Sequence, residues 1–223
     1  MLVGLMLYGV FVSLSFFFVG ITGEKRDRVT EQVVAAVSPQ TWIDGKLLGI
    51  TLAAIGSTLV FALGMLTVYM GFKAFKGELA LPQLGLGPVE VALFLTSCML
   101  GLAMWNCFFA ATAATINDPN TSARSGLLFL ALIPVFMVWM VTDRPDGLAM
   151  RVMMLVPLTA PAAIPVRYLA GSPAVWEIAL ALLLLVATIW LFRRLAGKIF
   201  ALGILMHGKE PSLREMWRWL REA

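Results

Sequence analysis

The feature that most constrains this chain is a series of apolar runs about as long as a lipid bilayer is thick. A hydrocarbon core of roughly 30 Å takes about 20 consecutive apolar residues in an α-helix. Five stretches reach or approach that length: Leu2–Thr22, Leu47–Phe72, Val89–Ile116, Ser125–Thr142 and Val175–Leu191. Leu47–Phe72 and Val89–Ile116 exceed the minimum, so they must tilt, bend or project beyond the core. In hydrocarbon every backbone polar group needs an internal partner, which a helix supplies within one segment. Charged residues make up only 13% of the 223 and cluster between the runs, where a soluble domain carries roughly 25%. With 60% hydrophobic residues, a disordered chain, a soluble enzyme and a disulfide scaffold are excluded. The expected fold class is all-α, a polytopic helical membrane protein with about five transmembrane helices.

A sixth apolar stretch, Leu148–Leu169, contains Pro157, Pro161 and Pro165 together with Arg151 and Arg167. Prolines at that spacing remove helix donors, so short helices or a re-entrant segment at the outer face are expected there. Cys98 and Cys107, nine residues apart in one run, point to opposite faces of a helix and read as two small core residues. Of the 17 Lys and Arg, twelve fall in connections on one side and five on the other. That bias predicts a multi-pass protein of the inner or plasma membrane with its N-terminus outside and its C-terminus in the cytoplasm. The first span has no basic n-region or small-residue cleavage site, so it reads as an uncleaved anchor. The basic residues flank apolar spans, which points to lipid headgroups and not to nucleic acid. Residues 1–206 are read as one transmembrane domain, including a cytoplasmic segment 24–46, and residues 207–223 as a cytoplasmic interfacial tail.

The chemistry inventory is sparse. Acids are absent from the middle of every span, and Glu90 and Glu177 are expected at outer helix ends, solvated by water or headgroups. His207 stands alone in the tail with no Cys or His beside it, so no metal site is expected. Ser57, Thr67, Ser97 and Thr112 have no His or Asp on a span to activate them and should bond back to their own helix or across to a neighbour. No GxxxxGK[ST] phosphate loop exists: Gly45-Lys46, Gly197-Lys198 and Gly208-Lys209 all lack its pattern. If nucleotide energy is used, another chain binds the nucleotide. Gly45, Gly49, Ala53 and Gly56 form a small-residue stripe, expected to pack helices closely within the chain or in a dimer rather than to line a substrate path.

The connection from Glu24 to Pro39 is the most informative stretch. Charges crowd its first turns, and Val29, Val33, Val34 and Val37 follow at helical spacing, as in an amphipathic helix along the inner face. Its mixed signs fit a partner protein's groove better than a lipid surface. The candidate partner-binding residues are Glu24, Lys25, Arg26, Asp27, Arg28, Glu31, Val33 and Val37. Ser38-Pro39 reads as N-cap and first residue of a new helix leading through Trp42 into the second span. In the tail, Ser212-Leu213-Arg214-Glu215 is a capping box. Leu213, Met216, Trp217 and Leu220 then make one apolar face that fits either lipid or a partner.

Three stretches resemble the type-2 ABC transporter permeases, most closely the sodium-efflux (NatB-like) branch. They are EKRDRVTEQVVAAVSPQTWIDGKLLGI (Glu24–Ile50), ATAATINDPNTSA (Ala111–Ala123) and AGKIFALGILMHGKEPSLREMWRWLR (Ala196–Arg221). The resemblance implies a permease subunit working as a homodimer or with a second permease chain. Its coupling element, Glu24–Ser38, would dock a separate ABC ATPase subunit. ATP and Mg would sit on that partner, leaving this chain with no cofactor and no catalytic residue. The sequence starts at what would be the family's second span, lacking the first span and the large extracytoplasmic domain. That implies a fragment, a half-length product or a partner of another permease. The rival reading is a membrane assembly or accessory protein that transports nothing; a lipid-modifying enzyme is a third, for which no mid-membrane polar cluster is found.

Overall fold

A computed structural model of the chain describes residues 2–26, 36–76, 87–116, 126 and 130–205. Seven helices and no strand occur among the described residues: α1 (Leu2–Arg26), α2 (Pro39–Phe75), α3 (Pro88–Ala114), α4 (Leu132–Met140), α5 (Leu148–Leu155), α6 (Ala160–Ala170) and α7 (Val175–Leu205). Three of them, α2, α3 and α7, have the length and apolar composition to cross a bilayer. The fourth expected span, Ser125–Thr142, is described at residue 126 and from residue 130 onward, where it forms α4.

Helix α3 is the axis of the bundle. It packs most heavily against α7 and α1, and along it Leu102, Met104, Trp105, Cys107, Phe109, Ala110, Ala113 and Ala114 are buried. Phe17 of α1, Ile43 of α2 and Leu185 and Phe200 of α7 complete this core. Both cysteines are free thiols, Cys107 buried and Cys98 half-buried against the same cluster, as two small core residues should be. A second core joins α4, α5, α6 and the start of α7 through Val135, Val138, Met150, Met154, Ile164 and Ala181.

The proline-broken stretch becomes the pair α5–α6, and its local chemistry follows from the prolines. Val156, which precedes Pro157, is extended at φ −77°, ψ 118°, because the proline ring disfavours helical geometry in the residue before it. The Thr159 hydroxyl then donates to the carbonyl oxygens of Met153, at 2.5 Å, and Val156, at 3.1 Å. Within α6, Pro165 has no N–H to offer the carbonyl of Pro161 four residues back. Ser97 of α3 supplies that bond from outside, its hydroxyl donating to Pro161 O at 3.2 Å. Other hydroxyls bond within their own helices, Thr67 to Leu63 O and Thr112 to Phe108 O.

Among the described residues nothing packs on the small-residue stripe of α2. Gly45, Gly49, Ala53 and Gly56 are all exposed, and a Cβ built on any of the three glycines meets nothing within 4 Å. Close helix approach occurs elsewhere. A Cβ on Gly9 of α1 would lie 2.8 Å from the Thr58 hydroxyl of α2 and 3.2 Å from Leu102 of α3. This buried glycine is where three helices meet. Four-residue periodicity defines a stripe without saying which neighbour, in this chain or in a second one, stands opposite it.

Candidate functional site

The end of the bundle where α2 begins and α7 ends gathers Lys46, Arg193, Arg194 and Lys198, and is called the basic end below. The element carrying it starts as the sequence predicts. Ser38 is extended (φ −62°, ψ 145°), its side chain accepts the Thr41 N–H at 3.2 Å, and Pro39 occupies the first helical position. One turn in, α2 is fastened to α7 by three contacts, two of them to one carboxylate. Asp44 takes a forked pair of hydrogen bonds from Arg193, Nε to Oδ1 at 2.6 Å and the guanidinium Nη2 to Oδ2 at 2.5 Å. This bidentate geometry suits planar guanidinium to planar carboxylate. Gln40 steadies the same carboxylate through an Nε2 bond at 3.0 Å. Trp42 stacks flat on Phe200, with ring centroids 4.2 Å apart and planes 6° from parallel.

Gly197 leaves room for the Gln40 side chain between the two helices. A Cβ at that position would sit 1.8 Å from the Gln40 side-chain oxygen, so any larger residue would require the Gln40 side chain to swing aside from Asp44. Lys46 adds α1 to the cluster by donating to Gly20 O at 2.7 Å while its ammonium lies over the Trp42 ring. Arg194 rests on Trp190, 3.9 Å from the ring centroid.

The opposite, far end is held differently. Arg167 of α6 is 1% exposed, and its Nη2 lies 2.7 Å from Glu177 Oε2 in the first turn of α7. Glu177 also accepts the Ala174 N–H, closing the helix start. The expectation that Glu177 is solvated at a helix end is therefore corrected. It is a buried counter-ion, because α6 folds back over the start of α7 and brings a guanidinium with it. Phe94 of α3 and Tyr168 of α6 meet edge to face at the same end. Between the ends, Asn106 of α3 is fully buried and donates to the Thr51 hydroxyl of α2 at 2.7 Å. Its Oδ1, and the buried Ser13 hydroxyl of α1, have no hydrogen-bond partner among the described residues. Neither Asn106 nor the Arg167–Glu177 pair was singled out from the sequence. A lone Asn in an apolar run was the available signal for the first; only tertiary contact reveals the second.

Of the candidate partner-binding residues, Glu24, Lys25 and Arg26 are the last residues of α1, so the span helix runs directly into the charged segment. Asp27, Arg28, Glu31 and Val33 lie outside the described residues. Val37 is exposed immediately before the Ser38 cap. The tail helix expected over Ser212–Arg221 and His207 also lie outside them. Among the described residues there is no group of His, Cys, Asp or Glu side chains fit to hold a metal ion.

An all-helical bundle with three bilayer-length apolar helices and polar groups concentrated at its ends is a multi-pass membrane protein. The profile of the ABC-2 family of transporter proteins matches residues 1–198, and the chain belongs to that family. It is also 25% identical over 218 residues to the uncharacterized protein MJ1024 of Methanocaldococcus jannaschii, a match covering 95% of this chain and 51% of the relative. The chain thus spans about half the length of that curated relative. No solved structure matches it.

Proposed function

We propose that the chain is the membrane-spanning permease subunit of an ATP-driven exporter, coupling a separate ABC ATPase subunit to movement of a substrate. The observation that carries this reading is the family match across residues 1–198. The build of the basic end supports it. The segment 24–38 leads from the end of α1 to the Ser38 cap of α2, so force applied to it from the cytoplasm would reach two helices at once. ATP and Mg are bound by the partner, and no side chain of this chain makes or breaks bonds. The cargo is sodium, as the resemblance to the NatB-like branch implies, or a drug-like or lipid compound that fits an uncharged path. The assembly holds a second permease chain, a copy of this one or another, and the open stripe Gly45–Gly49–Ala53–Gly56 is a surface left free for it.

The test is co-purification of an ATPase with the tagged chain, with and without reversed charges on the coupling segment. Glu24→Lys combined with Arg28→Glu should weaken capture of the ATPase while membrane insertion is unaffected, because charged turns fix register in a docked helix. Unchanged capture together with unchanged stimulation of ATP hydrolysis would place this segment on lipid and remove the coupling role.

A further inference from the structure

The permease reading leaves open how a push on segment 24–38 would reach the far end of the bundle. We infer that α7 is the transmitting rod, gripped at one end by α2 through Asp44–Arg193 and Trp42–Phe200 and at the other by α6 through Arg167–Glu177. This inference rests on the proposed function and adds to it the positioning residues of the stroke.

Three observations converge on α7. The first is continuity: α7 is one helix of 31 residues, about 46 Å long at 1.5 Å per residue, with no proline inside it. The second is the grip at the basic end, where a forked ion pair, a flat aromatic stack and the Gln40–Gly197 approach lie within three turns of the Ser38 cap. Any displacement of the start of α2 must either drag the end of α7 or break all of these. The third is the grip at the far end. Glu177 in the first turn of α7 holds the buried Arg167 of α6, and α6 shares its core with α5 and α4. A helix held at both ends transmits axial displacement and rotation to what it grips. The α5–α6 pair is therefore the part of the far end that follows the ATPase. Asp44, Arg193, Trp42 and Phe200 act as positioning residues; none touches a reacting atom.

The experiment uses the permease–ATPase complex in nanodiscs, with Cys98→Ala and Cys107→Ala in the background. Spin labels are placed at Val89→Cys, at the start of α3, which neither grip holds, and Leu169→Cys, near the end of α6; both native side chains are exposed, 68% and 56%. The probe is the change in label–label distance between the nucleotide-free complex and the complex trapped with Mg, ADP and vanadate. In the unmodified clasp the distance should change on trapping. In Asp44→Asn with Arg193→Gln, which keeps the side chains polar and similar in size, the change should be lost although the ATPase still binds and hydrolyses ATP. The swap Asp44→Arg with Arg193→Asp should restore it. Trp42→Leu supplies a second break of the clasp that leaves its charges in place, and it should also lose the change. A merely structural clasp would lower melting temperature without touching the nucleotide response, so melting is recorded for each variant. A full distance change in the broken clasps overturns the inference. So does a complex with the intact clasp that hydrolyses ATP with no change at these labels. A tagged wild-type chain that captures no ATPase overturns the permease reading itself, which is a different outcome.

Discussion

Replacing Glu177 by Gln removes the negative charge beside a guanidinium that is 1% exposed and whose other near partner is the Met154 sulfur, at 3.7 Å. The substitution keeps a carbonyl able to accept the Ala174 N–H, so the start of α7 stays capped and only the charge changes. The Arg167 Nη2 contact with Glu177, at 2.7 Å, is a charge contact without a well-aligned hydrogen bond, and Nε is also without a partner. Coulomb attraction to the carboxylate is therefore what compensates the burial of the arginine. Removing one member of a buried pair typically costs about 3–5 kcal/mol, because the remaining charge is left in a low-dielectric site. For a chain of this size about 1 kcal/mol moves the midpoint by roughly 2–4 °C. Glu177→Gln should then melt about 6–20 °C below wild type in detergent, followed by recovery of monodisperse protein after heating. The double replacement Arg167→Met with Glu177→Leu should regain most of that loss, since apolar residues of similar volume often substitute for a buried pair without penalty. A single variant melting within about 2 °C of wild type would mean water solvates Arg167. A double variant melting as low as the single would mean shape, not charge, holds α6 to α7.

Three further outcomes can be checked with the same preparation. Ser38→Ala removes the acceptor for the Thr41 N–H and should cost about 1 kcal/mol of stability, seen as a small drop in melting temperature. Gly9→Leu should cost about 1–3 kcal/mol or more by forcing α1 from α2 and α3, whereas Gly49→Leu, with open space around it, should leave the single chain's melting unchanged and lower only the dimer fraction by light scattering if a second copy covers that stripe. Single cysteines at Lys76 and Arg144 should react with an impermeant maleimide on intact cells and those at Lys25 and Arg218 should not; labelling of the latter pair would reverse the orientation inferred from the basic residues.

How much of this was legible in the sequence depended on whether the controlling physics is local. Proline effects are local, so Pro157, Pro161 and Pro165 gave away the break between α5 and α6, and Ser38-Pro39 gave away the start of α2. Hydrocarbon thickness is a length rule, so the long apolar helices could be read from run length. Pairing between elements is not local. Asp44 and Arg193 are 149 residues apart, and nothing in either neighbourhood announces the other. Glu177 was read as solvated because its position in the run resembles that of any helix-end acid; only the return of α6 decides its burial. Gly9 and Ser13 make a single small pair at four-residue spacing, and one pair in a run of larger residues does not say which helices close on it. The charge and valine spacing that mark the proposed coupling segment are local, but most of that segment lies outside the described residues.

The two ends of α7 also differ in how readily they yield, and that difference bears on where a stroke would be accommodated. The Asp44–Arg193 pair is a good fork, but its side chains are 24% and 46% exposed. Water screens it, and exposed pairs of this kind contribute only about 0.2–1 kcal/mol. The stack of Trp42 on the buried Phe200 carries more of the grip through area removed from solvent. The Arg167–Glu177 pair, with exposures of 1% and 9%, is costly to break because separation leaves a charge with neither water nor partner. At the basic end it is therefore the Trp42–Phe200 stack that must hold for a displacement of α2 to drag α7, with the exposed ion pair fixing their register. At the far end a displacement of α7 cannot part Arg167 from Glu177 at small cost, so α6 follows as one body. Exposing the Arg167 pair to water should leave motion at the basic end unaccompanied by motion of α6.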